Sequence, residues 1–220
     1  MKLRLVTAAI AASIAFAGAA GAATLNGLFS VQVAQITGAN SSQSEATAAN
    51  FGAALAGGVS DVFTYNGDLS FATSNSNDST TIASWLATGT PGGVSGLDST
   101  IGALQLSKPN INSNPGSATT TFFLFKLAPL NAADFSITHD DGIALFDDGT
   151  RIGGFNGPNG QRTTAVNGFD GGQFDLLYVA TNGDPSILKV DMTPVPVPAS
   201  LPLLLAGLGG FAFLRRRARA

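Results

Sequence analysis

The sequence predicts an all-β protein: an antiparallel, jelly-roll-like β-sandwich with one or two short helices. Glycine makes up 27 of the 220 residues, and with serine, threonine, asparagine and aspartate it separates short apolar runs along the chain. Runs and turns at this spacing are typical of antiparallel strands and not of alternating strands and helices. We expect residues 24–193 to form this sandwich, between a signal peptide (1–23) and a C-terminal sorting signal (194–220).

The N terminus has the three-part pattern of a secretory signal peptide. Lys2 and Arg4 supply the positive start, residues 5–17 are almost wholly apolar, and Ala20-Gly21-Ala22 fits the small-residue cleavage rule. An N-terminal membrane anchor is the alternative, but the apolar run is too short and lacks a stop-transfer pattern. We therefore predict export through the Sec translocon.

The composition of the body excludes several classes of function. Residues 24–193 hold five basic and 14 acidic residues, a net charge of −9, so no basic surface is available for nucleic acid. The chain has no cysteine, which excludes disulfides, thiolate zinc sites and iron–sulfur clusters. Its single histidine, His139, excludes a multi-histidine metal site.

The first half of the body predicts strands and two helical segments. The strands are expected at residues 28–36, 62–65, 69–72 and 101–106. Asn66-Gly67 predicts a two-residue hairpin between the second and third of them. Residues 42–45 match a capping box and predict a helix that ends at Gly57-Gly58. Ile82, Trp85 and Leu86 predict a second helical turn, with Trp85 in the core and a sugar-stacking ring as its alternative role.

The second half predicts six strands. They are expected at residues 119–127, 135–139, 143–146, 150–154, 174–180 and 186–192. The first is β-branched and then aromatic, which favours a strand. The last two are expected to form a hairpin around Asn182-Gly183-Asp184. The glycine-rich stretch 155–160 lacks the Gly-Lys-Ser/Thr ending of a phosphate-binding loop.

The C-terminal tail has three parts. A proline-rich motif comes first, then the apolar residues 201–214, and then a basic cluster. The motif consists of Val195, Pro196, Val197, Pro198 and Ala199, and the cluster of Arg215, Arg216, Arg217 and Arg219. Prolines keep the motif extended, and arginines beyond an apolar helix are expected on the cytoplasmic side.

This tail resembles the PEP-CTERM class of sorting signals, in the variant named for its Val-Pro-Leu-Pro-Ala motif, with Val197 in place of leucine. The resemblance implies that an exosortase recognises the motif and removes the helix. The protein would be tethered to the inner membrane before processing and then lie at the cell surface or outside the cell. It also implies extracellular polysaccharide as a partner. A plain single-pass anchor is the alternative.

Carboxylates concentrate at two successive turns, which contain Asp140, Asp141, Asp147 and Asp148. Asp-Gly sequences favour turns without any ligand, and this is the first interpretation. Adjacent like charges are costly unless a cation or backbone N–H groups compensate them, and turns supply the oxygen ligands that Ca²⁺ prefers. A structural Ca²⁺ site and a Ca²⁺-dependent glycan site therefore remain open.

The segment of residues 139–149 also looks like the central hairpin of protective-antigen-type β-sandwich domains, where one strand runs into Asp-Asp-Gly and the next ends in Asp-Gly. In flocculin-type adhesins of that fold, an Asp-Asp pair holds Ca²⁺, which binds sugar hydroxyls. The resemblance implies this role for Asp140 and Asp141.

No catalytic constellation accompanies these carboxylates. His139 alternates with Phe135 and Ile137 on the apolar face, and no G-x-S-x-G nucleophile elbow is present. We predict an exported surface or matrix protein with a structural or adhesive role and no catalysis. A Ca²⁺-dependent glycan-binding module is the alternative, and a glycoside hydrolase using paired carboxylates is a distant one.

Overall fold

A computed structural model describes residues 21–73, 79–109, 111 and 115–195. Ala22–Pro194 form one compact unit. The predicted signal peptide up to residue 20 lies outside the described residues, as do Pro196, Val197, Pro198, Ala199, the apolar segment 201–214 and the arginines at 215, 216, 217 and 219. No helix in the described part of the chain has the length and apolar character needed to cross a membrane.

The fold consists of two antiparallel sheets. The seven-stranded sheet has the order β5 (Gly92–Ser95), β3 (Val59–Asp68), β2 (Asn26–Thr37), β6 (Thr119–Leu127), β11 (Phe174–Ala180), β8 (Ile143–Asp147) and β9 (Thr150–Phe155). The five-stranded sheet has the order β1 (Ala23–Thr24), β12 (Ile187–Pro194), β7 (Ala133–His139) and β10 (Arg162–Phe169), and β4 (Ser70–Ala72) also pairs with β12. The predicted antiparallel β fold with few helices is confirmed.

The main core lies between the two sheets and is strongly aromatic. In β2 the alternate residues Phe29, Val31 and Val33 are fully buried, as the period of two in a strand requires. Trp85 is also fully buried, with ring centroids 4.6 Å from Phe71 and 5.3 Å from Tyr178. Its indole N–H donates to the Ser186 carbonyl at 3.0 Å, so Trp85 is a core residue and not a sugar-stacking ring.

In the part of the chain that the structure describes, three short α-helices accompany the sheets: α1 (Ala48–Gly57), α2 (Ile82–Leu86) and α3 (Ser99–Gly102). The α1 helix places Phe51 and Ala54 in a second core cluster on the outer face of the seven-stranded sheet, with Phe122 and Val179. Its N-cap is Thr47, whose hydroxyl accepts the Asn50 N–H at 3.1 Å.

Two local predictions for these helices were wrong. The expected capping box at residues 42–45 is instead part of a 3₁₀ turn, Ser42–Ser44, which ends when Glu45 becomes extended. The expected strand at 101–106 does not form. Its first two residues end α3, because the Asp98 carboxylate accepts the N–H groups of Thr100 and Ile101 and so caps a helical turn, and Gln105 makes only an isolated bridge with Thr81.

The two predicted hairpins were also wrong, because each pair of strands is divided between the sheets. Asn66-Gly67 lies inside β3, and β4 belongs to the other sheet. Gly67 is needed there because β5 approaches closely: a Cβ would lie 2.3 Å from the Pro91 carbonyl oxygen. β11 and β12 likewise lie in different sheets. Strands β5 and β10, which carry few apolar residues, were not predicted.

Candidate functional site

Three connections cross between the sheets at the same end of the sandwich. They join β7 to β8, β9 to β10 and β11 to β12. In one sheet β7 pairs with both β10 and β12, and in the other β8 pairs with both β9 and β11. The pairing therefore places the three crossovers side by side, although they are distant in sequence.

These crossovers enclose a cleft of about 440 Å³. Its lining is rich in oxygen-bearing groups and includes three aspartates but neither lysine nor arginine. The lining residues are Ser41, Ile111, Asp140, Asp141, Pro158, Asn159, Gly160, Thr181, Asn182, Gly183, Asp184 and Pro185. A cleft of one charge sign with low-dielectric walls concentrates ions of the opposite sign, so this one attracts cations.

The two aspartates of the first acidic turn are nearly buried. Asp140 is 6% and Asp141 is 3% exposed. Asp141 takes the left-handed backbone conformation, with φ of 68°. Its backbone N–H donates to the Asn159 carbonyl at 3.1 Å, and its Oδ2 accepts the Thr181 N–H at 2.8 Å. Asp141 thus connects all three crossovers.

The glycine after this pair is required by packing. A Cβ on Gly142 would lie 2.2 Å from the Asn156 carbonyl oxygen and 2.9 Å from the Ala46 Cβ. The Asn156 carbonyl in turn accepts the Ala46 N–H at 2.8 Å, which fixes the segment before α1 against the β9–β10 crossover. The Asp140-Asp141-Gly142 sequence therefore serves a tight crossing between sheets and not an open hairpin.

Burial has a direct electrostatic consequence for the pair. Desolvation raises the pKa of Asp140 to about 6, against the hydrogen bond from the Asp141 backbone. Desolvation also raises the pKa of Asp141 well above its usual range, with the Asp140 charge adding to the effect, while the N–H groups of Thr181 and Asn159 oppose it. In the absence of a compensating cation, the folded protein thus favours protonation of this pair.

Asn159 and Thr181, which lie beside Asp140 and Asp141, also contribute to the polar character of the cleft. The Asn159 Oδ1 atom is buried and accepts no hydrogen bond from any described residue. Thr181 is held from behind by a chain of buried hydroxyls, with Oγ atoms 2.9 Å apart in Thr120 and Thr181 and 2.8 Å apart in Ser44 and Thr120. The cleft therefore combines a fixed wall with an unused amide oxygen.

His139 is a core residue, as its alternation with Phe135 and Ile137 predicted. It is fully buried, and burial followed by the nearby charge of Arg162 lowers its pKa, against the bond to Asp141. In the neutral ring, Nδ1–H donates to the Asp141 carbonyl at 2.7 Å and Nε2 accepts the Thr164 hydroxyl at 2.8 Å. His139 thus supports the turn and faces no open space.

The second acidic turn has a different architecture. Asp147 and Asp148 lie at the opposite end of β8 and join it to β9 in a true hairpin. The Asp147 Oδ2 accepts the Asp170 N–H at 2.9 Å, and the Asp148 Oδ1 accepts the Gln173 N–H at 2.8 Å. The Asp147 Oδ1 is buried without a partner among the described residues. The four predicted ligands therefore do not form one site.

In residues 21–195, outside the gaps given above, no three histidine or carboxylate side chains lie close enough together to hold a metal ion. A cation in the cleft would rest on Asp140 and Asp141 and would take its other ligands from neutral oxygens such as that of Asn159. Calcium accepts such mixed sets of carboxylate, amide and carbonyl oxygens.

Most of the cleft was not predicted from the sequence. Asn159, Thr181 and Asp184 reach it through crossovers, where the sequence predicts only a glycine-rich loop and a hairpin turn. The one available signal was local: each of these stretches combines glycine and asparagine or aspartate, which is typical of tight turns. Such a signal marks a turn but does not say which other turns lie beside it.

Comparisons with known proteins gave two structural likenesses. No protein-family model matches the chain, and no curated protein matches it. A PA14 sugar-binding domain from an RTX adhesin is 16% identical over 74% of this chain and 89% of its own, with a TM-score of 0.48. The PA14 domain of the antifreeze protein MpAFP is 12% identical over 80% of this chain and 88% of its own, with a TM-score of 0.44. At such identities the likeness concerns the backbone and not the residues of the cleft.

Proposed function

We propose that this protein is an exported, non-catalytic adhesive protein of the cell surface or extracellular matrix, and that its cleft binds carbohydrate with the help of Ca²⁺. Asp140 and Asp141 would supply the two carboxylates, and the amide oxygen of Asn159 would supply a neutral ligand. A bound Ca²⁺ takes six to eight oxygen ligands, so positions remain for the hydroxyls of a sugar.

One observation carries the proposal: the three crossovers bring two nearly buried carboxylates to a cleft that contains no basic residue. Burying adjacent carboxylates is costly, and the fold holds them in proximity although their pKa values are raised. A divalent cation would remove this cost. The Asn159 Oδ1 atom, which accepts no hydrogen bond from a described residue, supports this interpretation. A buried amide oxygen without a hydrogen-bond donor is destabilising, and coordination to a cation would remove that cost.

A structural component without a ligand is the second candidate. The Asp141 Oδ2 already accepts the buried Thr181 N–H, and the backbone of Asp141 is tied to the β9–β10 crossover. These bonds give Asp141 a role in connecting the crossovers whether or not a cation binds. The two candidates differ in one measurable property, which is Ca²⁺-dependent retention on polysaccharide.

The test is retention of the full chain on a panel of immobilised polysaccharides, in millimolar Ca²⁺ and in excess chelator. We expect at least one polysaccharide to retain the protein only with Ca²⁺. The Asp141→Asn variant should lose this retention, because it removes a ligand charge at nearly constant shape. The matched variant Asp148→Asn, in the hairpin at the other end of β8, should keep it.

Retention that ignores chelator, or that survives in Asp141→Asn, would contradict the cation site. No retention on any polysaccharide, with unfolding also unchanged by Ca²⁺, would favour the structural component. Hydrolysis of a polysaccharide in the panel would revive the glycosidase alternative.

For the tail, we propose that the protein is tethered to the inner membrane after export and that an exosortase then removes its C-terminal helix. The support is the sequence: the motif Val195-Pro196-Val197-Pro198-Ala199, the apolar residues 201–214 and the basic cluster occur in the required order. Val195 follows β12 directly and is 46% exposed, so the motif begins at the surface of the domain.

This part is tested by the mass of the protein recovered from cells with and without the exosortase. The exosortase should shorten the chain near residues 195–199, and Pro196→Ala with Pro198→Ala should prevent the shortening. A full-length chain in both strains would instead indicate a plain membrane anchor.

A further inference from the structure

Two arginines flank the β9–β10 crossover, which contributes Pro158, Asn159 and Gly160 to the lining of the cleft: Arg151 lies in β9 and Arg162 begins β10. Arg162 follows Gly160 by two residues and stands opposite His139 in the ladder between β7 and β10. Its guanidinium lies over the Phe155 ring, 4.1 Å from the centroid. Arg151 donates to the Asn156 side chain on the same crossover. Both arginines are exposed.

Among the residues that the structure describes, two of the three lysines of the body have an acidic partner, whereas these arginines, like Lys108, do not. Lys126 pairs with Asp175 at 3.5 Å and Lys189 pairs with Asp191 at 2.8 Å. Arg162 and Arg151 form no ion pair with any residue that the structure describes. In a body of net charge −9, two guanidinium groups without an ion pair that flank one crossover are a local reversal of charge.

The stacked geometry prepares Arg162 for an anion. An aromatic ring beneath one face of a guanidinium restricts the rotation of the guanidinium. The N–H groups lie in the guanidinium plane, so they stay available to hydrogen-bond acceptors at its edge. A carboxylate accepts two of these N–H groups side by side, which is among the strongest of protein hydrogen-bonding arrangements. Arg162 donates no hydrogen bond from its side chain to a described residue.

Cation binding would also lower the negative charge of the cleft. Its lining carries three carboxylates, from Asp140, Asp141 and Asp184, with a formal charge of −3 when all are ionised. A bound Ca²⁺ would reduce this formal charge to −1, and the positive charges of Arg162 and Arg151 flank the crossover beside it. The cation would therefore weaken the repulsion of an anionic chain, and Arg162 would attract it.

We infer that the carbohydrate recognised at this cleft is anionic, a polysaccharide that contains uronic acids. Hydroxyls of one sugar unit would bind the cation held by Asp140 and Asp141, and the carboxylate of an adjacent unit would bind Arg162. The charge of Arg151 would add to the positive electrostatic potential around Arg162. This inference rests on the proposed function and adds the chemical class of the ligand.

The test is calorimetric titration of the full chain, in millimolar Ca²⁺, with tetragalacturonate and with its fully methyl-esterified form. The two oligosaccharides have the same sugar backbone and differ at the carboxyl groups, which are charged in the acid and neutral methyl esters in the other. We expect the acid to bind about tenfold more tightly or better, the size expected of one charge-assisted pair. Arg162→Gln should remove this preference and keep binding of the ester, and Arg162→Lys should restore part of it.

Lys126→Gln is the matched control, because it removes an exposed cation far along the sheet, and it should keep the full preference. Equal affinity for the two oligosaccharides, or a preference that survives in Arg162→Gln, would overturn the inference and leave the proposed function standing. Undiminished binding of both in Asp141→Asn would instead contradict the proposed function. A preference for dextran sulfate over tetragalacturonate would assign the arginines to sulfate and would also overturn the inference.

Discussion

The two acidic turns that flank β8 have nearly the same sequence and opposite roles. Asp140-Asp141-Gly142 crosses from one sheet to the other, and its carboxylates are nearly buried beside a cleft. Asp147-Asp148-Gly149 closes a hairpin within one sheet, and its carboxylates accept backbone N–H groups of the loop before β11. The position of a turn between sheets or within one, and not its composition, decides whether its carboxylates lie beside the cleft.

The two turns also differ in the free-energy cost of ionising their aspartates. At the first turn, burial raises the pKa of both aspartates, so the pair is destabilised in its charged form. At the second, backbone donors satisfy one oxygen of each aspartate in a more exposed setting. A bound cation would therefore stabilise the charged aspartates more at the first turn than at the second, which is why we propose the binding site there.

The largest expected effect comes from substituting the glycine that follows the aspartate pair in each turn. Gly142→Ala should lower the free energy of unfolding by about 3 kcal/mol, because its Cβ would strike the Asn156 carbonyl oxygen. Gly149→Ala should cost about 1 kcal/mol, since its surroundings are open and only its φ of 78° disfavours a side chain. Urea unfolding of the full chain measures both. Equal losses would show that the crossing turn relaxes as easily as the hairpin.

A smaller effect appears in the pH dependence of stability without Ca²⁺. The folded-state pKa of Asp140, about 6, exceeds its unfolded value of 3.8, so the native state binds more protons. The stabilisation from this group is complete below pH 3.8 and is lost as the pH rises through about 6, and Asp141 extends the loss upwards. Its size should be on the order of 2 kcal/mol.

Unfolding in chelator across this pH range measures the effect as a difference between variants. The double variant Asp140→Asn, Asp141→Asn should lack this component of the decline, and Asp147→Asn with Asp148→Asn should retain it. Parallel curves for the wild type and the first double variant would contradict the buried-pair description.

The smallest expected effect concerns the hairpin carboxylate. Asp148→Ala removes the acceptor of the Gln173 N–H at an exposed position, where water can take its place. We expect the free energy of unfolding to fall by less than about 1 kcal/mol. Thermal unfolding checks this. A loss as large as that of Gly142→Ala would mean that the second turn is as constrained as the first.

Strand positions in the second half of the chain followed from the sequence. Residues 119–127 were predicted as a strand and form β6, and residues 174–180 form β11. Dense apolar and β-branched side chains identify these strands because they are buried. β10 was not predicted, because it is exposed at most positions and so shows little apolar periodicity.

Pairing partners did not follow from the sequence. Asn66-Gly67 and Asn182-Gly183-Asp184 have the composition of hairpin turns, yet the first lies inside β3 and the second lies between strands of different sheets. A turn motif reports local backbone preference, whereas sheet membership depends on contacts between distant strands. The cleft is made of three such crossovers, so Asp140 and Asp141 were found as acidic residues while Asn159 and Thr181 were not found as their neighbours.

The most direct test of the central claim is calorimetric titration of the full chain with Ca²⁺ alone, at neutral pH and without carbohydrate. We predict one bound ion per chain and release of protons on binding, since Asp141, whose pKa burial raises well above its usual range, must lose its proton to hold the cation. Asp140→Asn with Asp141→Asn should abolish the binding, and Asp147→Asn with Asp148→Asn should leave it intact. Absence of binding, or binding lost only in the second variant, would contradict the assignment of the cleft as the cation site.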